Sequence, residues 1–291
     1  MTILVTGATG LLGTKVVEAL LRKGVPAESI AVAVRDPKKA QDFAVKGVDV
    51  RQADYEDIES LERAFTGVDR LLLISSQGDN NTRITHHKNA VFSAKAAGVH
   101  FIAYTSCSKP QTSHLPIAEV HRITEKMIHE TGIPYSFLRN NWYIENEIDT
   151  LKAILDGAPL VTSAGDGQVG WVPRIDYAEA AAAVLSTEDH KNTIYELSGI
   201  PSTYEDMAIA LSSLLDKEVP LLQVNDQEYR QFLIEQGFPE GYLDFYVEVQ
   251  QAIRQGDLTI ESSDLSSLLN RPAITLQESL TEIIHKFRSS K

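Results

Sequence analysis

Residues 7 to 13 read Gly7-Ala8-Thr9-Gly10-Leu11-Leu12-Gly13 and directly follow the apolar run Ile3-Leu4-Val5-Thr6. Three glycines at this spacing, between a buried strand and a helix, leave little freedom in what the chain can build. Gly7 permits a tight turn. Gly10 lets the backbone approach a pyrophosphate with no Cβ in the way, and Gly13 lets the helix pack close to the strand. The helix that starts there offers free N–H groups and the positive end of its dipole to an anion. The pattern predicts a dinucleotide-binding βαβ unit. The plainer alternative is an ordinary βα turn that happens to hold three glycines.

The rest of the first half repeats the strand–helix theme. Short apolar runs lie at Ile3–Thr6, Ile30–Val34, Val48–Ala53, Arg70–Ser75, Phe101–Ser106 and Tyr135–Leu138. They do not alternate with polar residues, which suits strands buried on both faces of a parallel sheet. Helical patterns fall between them at Gly10–Lys23, Lys38–Lys46, Ile58–Phe65, Arg83–Ala97 and Ile117–Thr131. Gly24, Gly47, Gly67, Gly98 and Gly132 each follow a helical run, where the chain often needs positive φ. After Arg139 the pattern changes. Asp149–Leu155 and Tyr177–Leu185 read as helices, Gly157–Gly170 as loop, and Thr193–Leu197 as one more strand of the sheet. From Pro201 onward the chain reads as helix and loop. The expected fold class is α/β: a Rossmann-type doubly wound parallel sheet with a smaller, mostly helical C-terminal lobe. Residues 1–140 with 174–200 are expected to form the nucleotide-binding domain, and 141–173 with 201–291 the substrate-binding lobe.

Composition narrows the partners. With 27 basic and 40 acidic residues the net charge is −13, which disfavours a nucleic-acid backbone. No apolar run approaches the roughly 20 residues of a membrane span. The chain enters Ile3-Leu4-Val5 with no basic leader, and Cys107 is the single cysteine, so no internal disulfide or multi-cysteine metal site is available. These points predict a cytoplasmic protein without a bound metal, and a homodimer is open to it. His86 and His87 are adjacent on a helix and point apart, which argues against a metal pair.

The cofactor is read at the strand ends. An acidic residue after the second strand favours NAD, and an arginine there favours the 2′-phosphate of NADP. Arg35 follows Val34, with Lys38 and Lys39 close by, and Pro37 directs Asp36 toward a helix cap. The expected cofactor is therefore NADPH, with NADH second. Asp54 and Tyr55 end the third strand at the position of an adenine contact, or of a helix cap. Ser75, Ser76 and Gln77 follow the fourth strand, where small polar residues allow close approach to the ribose and phosphates.

The segments TGATGLLG, VRDPKKA, VRQADYED, LLLISS, KAAGVHFIAYTS, GIPYSFLRNNWYIEN and AGDGQVGWVPRIDYAEAAAAVL resemble the NmrA-like branch of the atypical short-chain dehydrogenase/reductases. Within it the chain is most similar to NADPH-dependent quinone oxidoreductases and triphenylmethane reductases. The segment Leu268-Leu269-Asn270-Arg271-Pro272 resembles the family's C-terminal pattern, with Asn270 where glycine is common. The resemblance implies cofactor contacts from Gly7, Ala8, Thr9, Gly10, Leu11, Leu12, Arg35, Ser75, Ser76 and Gln77. It also implies contacts from Arg174 and from the loop Asn140-Asn141-Trp142-Tyr143-Ile144-Glu145, where the family commonly has glycine at 141. Such proteins pass hydride from NADPH to a flat aromatic acceptor.

Classical members of the superfamily use a Tyr-x-x-x-Lys pair, which is absent here. Aligned on the equivalent helix, His121 and Glu125 have its four-residue spacing. They are either an i, i+4 helix pair or a catalytic group, with His121 as a proton donor near neutral pH. Loss of the pair argues against reduction of a carbonyl to an alcohol, which needs a proton for an alkoxide. Reduction of a quinone gives a less basic phenolate. What remains is positioning, with reacting atoms about 3–3.5 Å apart. Trp142 and Tyr143 are expected to stack on an aromatic acceptor, and Asn140 and Asn141 to hold the cofactor or stabilise developing charge. Tyr104 and Ser106 end the fifth strand on the expected nicotinamide side. The assigned catalytic set is His121, Asn141 and Tyr143. The expected function is NADPH-dependent reduction of a quinone or related flat aromatic. The alternative is a non-catalytic NADP(H)-sensing regulator of the NmrA type.

Overall fold

The computed structural model describes residues 1–289. Seven parallel strands form the central sheet in the order β3-β2-β1-β4-β5-β6-β8. They are β1 (Ile3–Thr6), β2 (Ile30–Val34), β3 (Asp49–Gln52), β4 (Arg70–Leu73), β5 (Phe101–Cys107), β6 (Tyr135–Asn140) and β8 (Thr193–Leu197). The order turns back between β1 and β4, which makes their carboxyl ends the switch point where such sheets bind ligands.

Side-chain alternation divides the sheet between two helical layers. Val5, Val32, Leu72, Ala103 and Leu138 face one layer. There Val16, Val17 and Leu20 of α1 (Leu11–Arg22) meet the alanines of α7 (Arg174–Ser186). Ala178, Ala181 and Ala182 are fully buried or nearly so, and their small size lets α1 and α7 lie close together. Leu4, Ala31, Leu71, Leu73, Ile102 and Tyr104 face the other layer. It consists of α3 (Ile58–Phe65), α4 (Asn80–Ala96) and α5 (Ala118–Thr131). Between β2 and β3 a short helix, α2 (Gln41–Val45), follows a 3₁₀ turn. The five glycines that end helical runs have φ between +73° and +88°, as their sequence positions required.

A third apolar cluster holds the second lobe together. It gathers α6 (Ile148–Leu155), α8 (Tyr204–Leu215), α10 (Glu240–Arg254) and α12 (Leu276–Ser289) around Trp142, Trp171 and Met207. Beside it α9 (Asp226–Glu235) packs Tyr229 and Leu233 against Leu243 of α10. The lobe is not purely helical. β7 (Leu160–Thr162) and β9 (Leu221–Gln223) pair in parallel, in stretches that the sequence reads as loop. The last short helix, α11 (Asp264–Leu269), ends on Asn270 in the left-handed region at φ +54°, which explains why glycine suits that position. Arg271 then reaches back to the buried Asp176 at 2.6 Å and to Glu179 at 2.7 Å, tying the C-terminal segment to α7. Among the described residues no helix is long and apolar enough to cross a membrane.

The tightest constraint lies at Gly13. A Cβ there would stand 2.3 Å from the carbonyl oxygen of Gly7 and 2.7 Å from Cα of Ala8, both backbone atoms. At Gly10 the closest atom would be 3.1 Å away. Gly13→Ala is therefore expected to cost about 1–3 kcal/mol of stability and to lower Tm by several degrees in thermal unfolding, with Gly10→Ala milder. Equal melting of Gly13→Ala and wild type would contradict the close approach.

Candidate functional site

The glycine turn opens at the carboxyl end of β1. Gly7 has φ +58°, and the Gly10 N–H donates to the Gly7 carbonyl at 2.9 Å. Gly10 is also the N-cap of α1, with no side-chain cap and no acidic residue in the first turn. The first N–H groups of α1 thus keep their positive end uncompensated. Leu11 beside them is 73% exposed. Ala8 packs its methyl into the core, so only its backbone faces the turn.

Neighbouring strand ends complete a groove. Arg35 is exposed after β2 and makes no ion pair among the described residues. Asp36 does what its proline neighbour suggested: it accepts the Lys38 N–H at 3.0 Å and caps the 3₁₀ turn. After β3, Asp54 accepts the Glu56 N–H at 3.1 Å, while Asp57 caps α3. The Tyr55 hydroxyl donates to the Ile74 carbonyl at 3.1 Å, and burial pushes this phenol up to about 12. The loop after β4 is pinned atom by atom. The Ile74 N–H donates to the Thr6 hydroxyl at 2.9 Å, and the Ser75 N–H to the Thr105 hydroxyl at 2.9 Å. The Ser76 N–H donates to His87 Nε2 at 2.9 Å. Gln77 is exposed beyond them.

The loop after β6 divides its residues between groove and lobe. The Asn140 amide donates to the Tyr143 hydroxyl at 2.7 Å, and its Oδ1 is buried without a partner. The half-buried Tyr143 ring lies edge-on to Tyr177 at 4.6 Å, and the Arg174 guanidinium sits 5.4 Å from its centroid. Burial pushes the Tyr143 phenol up to about 12. Glu145 accepts the Arg174 N–H at 3.0 Å. Ile144 is buried in the lobe core.

Several of the expected site residues are engaged within the protein. Asn141 is buried and fully engaged: its amide donates to the Ser198 hydroxyl and the Leu258 carbonyl at 3.0 Å each, and its Oδ1 accepts the Trp142 N–H at 2.7 Å. It fastens the loop and has no donor left for chemistry. Its backbone is not left-handed, so asparagine replaces the family's glycine without strain. Trp142 is 8% exposed in the lobe core, with its indole N–H on Glu147 at 3.2 Å, and offers no free stacking face. Tyr104 and Ser106 point away from the groove, into the layer of α4 and α5. The Tyr104 hydroxyl meets His121 Nδ1 at 2.8 Å, and the Ser106 hydroxyl donates to Glu125 at 2.7 Å.

His121 and Glu125 do not pair with one another. Glu125 pairs with Arg139 at 2.7 Å. His121 is 4% exposed, and its Nε2 lies 3.3 Å from Nη2 of Arg83. A guanidinium only donates, so Nε2 is the acceptor and Nδ1 carries the hydrogen. Burial, reinforced by the Arg83 charge, holds the imidazole well below its usual range. Both effects favour the neutral imidazole.

Three features escape sequence reasoning. Arg83 and His87, one helical turn apart on α4, face inward and hold the β4 loop. Glu147 is buried beneath two indoles and the Tyr204 hydroxyl, and burial raises its carboxyl above the usual range. Ser108 Oγ and Tyr177 OH are buried without partners, as are the Oγ of the expected Ser76 and the Oδ1 of the expected Asn140. The only cue in the sequence is the four-residue spacing of Arg83 and His87, two polar residues on what should be an inner helix face.

With this geometry in place, comparison with known proteins is informative. The model of the NmrA-like family matches residues 1–264. Quinone oxidoreductase 2 of Escherichia coli strain K12 is 41% identical over 284 residues, covering 97% of this chain and 99% of that protein. The structure of an Escherichia coli NADPH-dependent quinone oxidoreductase complexed with NADPH superposes with a TM-score of 0.94 at 41% identity, covering 97% of this chain and 100% of the other. Triphenylmethane reductase of Citrobacter sp., complexed with NADP(H), superposes with a TM-score of 0.93 at 40% identity, covering 97% and 100%. With a family match over most of its length and a relative of this identity along nearly all of it, the chain belongs to the NmrA-like family.

Proposed function

We propose that this chain is an NADPH-dependent oxidoreductase that passes hydride directly to a quinone or a related flat aromatic acceptor. The carrying observation is the groove at the carboxyl ends of β1, β4 and β6. There an uncapped helix start follows a left-handed Gly7, and partnerless polar atoms of Ser76 and Asn140 stand at the ends of β4 and β6 in the same sheet. Those atoms fit the phosphates and amide of a dinucleotide. The full-length relatives named above are oxidoreductases, which favours catalysis over a purely regulatory role.

When bound, NADPH supplies the hydride. The chain's own residues bind and orient. Backbone N–H groups from Gly10 to Leu12 receive the pyrophosphate, and Arg35 receives the 2′-phosphate. Asn140 offers its free Oδ1 to an N–H of the nicotinamide end. Tyr143, held by Asn140, Tyr177 and Arg174, forms a flat wall for the acceptor. The lobe of residues 141–173 and 201 onward closes the other side. No side chain in this set has an acidic proton near neutral pH, which suits an acceptor whose reduction yields a weakly basic phenolate.

Four outcomes check this reading. NADPH absorbance should fall when the protein is mixed with a panel of quinones and cationic dyes, and no turnover with any of them would refute the activity. Arg35→Ala should weaken NADPH by about tenfold or more, the scale of a lost charge-assisted phosphate contact, and leave NADH nearly unchanged. An equal loss for both would remove Arg35 from the 2′-phosphate. Tyr143→Phe should lower kcat several-fold with little change in melting temperature, because it frees the Asn140 amide. His121→Gln should keep the wild-type shape of the pH–rate profile across neutral pH, and a lost limb would restore His121 as proton donor.

A further inference from the structure

Five charged side chains are buried among the described residues: Arg70, Arg83, Glu125, Glu147 and Asp176. Three are ion-paired, Arg70 with Glu188 at 2.7 Å, Glu125 with Arg139 at 2.7 Å and Asp176 with Arg271 at 2.6 Å. Glu147 can escape its charge by taking a proton. Arg83 cannot, because a guanidinium stays protonated in any protein environment. It is therefore a buried cation with no counter-anion among the described residues.

Its contacts are all to neutral acceptors. Nε donates to the Ser76 carbonyl at 2.9 Å, and Nη2 donates to the Ser75 hydroxyl at 2.8 Å and to His121 Nε2 at 3.3 Å. The two histidines around it are kept neutral, His87 with its pKa pulled down to about 3 by burial and then by the Arg83 charge. Carboxylates on the adjoining helices are committed elsewhere, Asp79 to the cap of α4 and Glu125 to Arg139. An uncompensated buried charge costs several kcal/mol and is retained only where something recovers that cost. The groups that Arg83 grips are the carbonyl and hydroxyl of the β4 loop, at the switch point beside the glycine turn.

We propose that Arg83 is a positioning residue of the dinucleotide site, whose fork sets the path of Ser75 and Ser76 and whose missing counter-charge is supplied by the negatively charged cofactor when it binds. This inference rests on the dinucleotide reading of the groove. The free protein carries the cost of the unpaired cation, and binding of the anionic ligand relieves it. Arg83 thus differs from Arg35, which reads only the 2′-phosphate: its effect is common to NADPH and NADH.

The test compares Arg83→Gln, which removes the charge, with Arg83→Lys, which keeps it and loses the fork. Affinities for NADPH and NADH are measured by titration calorimetry, and the melting temperature of the free protein by calorimetric scanning. Arg83→Gln should weaken both cofactors by about tenfold, the scale of a charge interaction across a partly screened interior. Its ligand-free melting temperature should equal or exceed that of wild type. Arg83→Lys should lie nearer to wild type than Arg83→Gln in affinity. A loss below about fivefold, a loss confined to NADPH, a lysine variant as weak as the glutamine one, or a ligand-free glutamine variant that melts several degrees lower or does not fold would each overturn the proposal. A wild-type protein that binds neither cofactor would instead refute the dinucleotide reading itself.

Discussion

Where Gly13 passes the Gly7 carbonyl, a Cβ would come within 2.3 Å of that oxygen, so helix and turn touch backbone to backbone. This contact sets how close α1 lies to the sheet. It lets the alanine-rich α7 pack beside α1, and α7 in turn holds Asp176 for Arg271 and the C-terminal segment. The same contact aims the uncapped start of α1 over the carboxyl end of β1. Next to it the Thr6 hydroxyl donates to the Leu72 carbonyl at 3.1 Å and accepts the Ile74 N–H at 2.9 Å, joining β1 to β4 where the strand order reverses.

Polar residues divide between the two faces of the sheet, and that division governs the chemistry. On the α1/α7 face, Asn140 donates to the Tyr143 hydroxyl and the Arg174 guanidinium sits against the Tyr143 ring. On the α4/α5 face, Tyr104 meets His121, His87 meets Thr124, and Ser106 donates to Glu125. A buried imidazole beside a guanidinium is a neutral hydrogen-bond partner and not an acid.

Much of the fold is legible in particular runs of residues. Ile3–Thr6, Ile30–Val34 and Thr193–Leu197 coincide with strands, because apolar segments bounded by glycine and turn residues carry their own signal. β7 and β9 carry none. Each has three residues, β9 is largely exposed, and they pair across about sixty residues of chain that brings them together only in the folded lobe. α7 begins at Arg174, ahead of its apolar run, because Pro173 sits at the N-cap and preorganises the turn.

The candidate site separates along the same line. The glycine turn, Arg35 and the Ser75–Gln77 loop are set by local chemistry, since steric freedom at a turn and a charge at a strand end depend on neighbours in sequence. Whether His121 meets solvent or Arg83, whether Asn141 faces a ligand or Ser198, and whether Trp142 stacks on a substrate or caps Glu147 depend on which distant residue fills the space beside each. Spacing along a helix assigns a face but not what packs against it. The sequence by itself determined a parallel α/β sheet with a glycine turn after its first strand and an exposed arginine after its second. Only the tertiary structure decided which polar residues face the groove and which are consumed in holding it open, because burial and hydrogen-bond partners come from segments far apart in the chain.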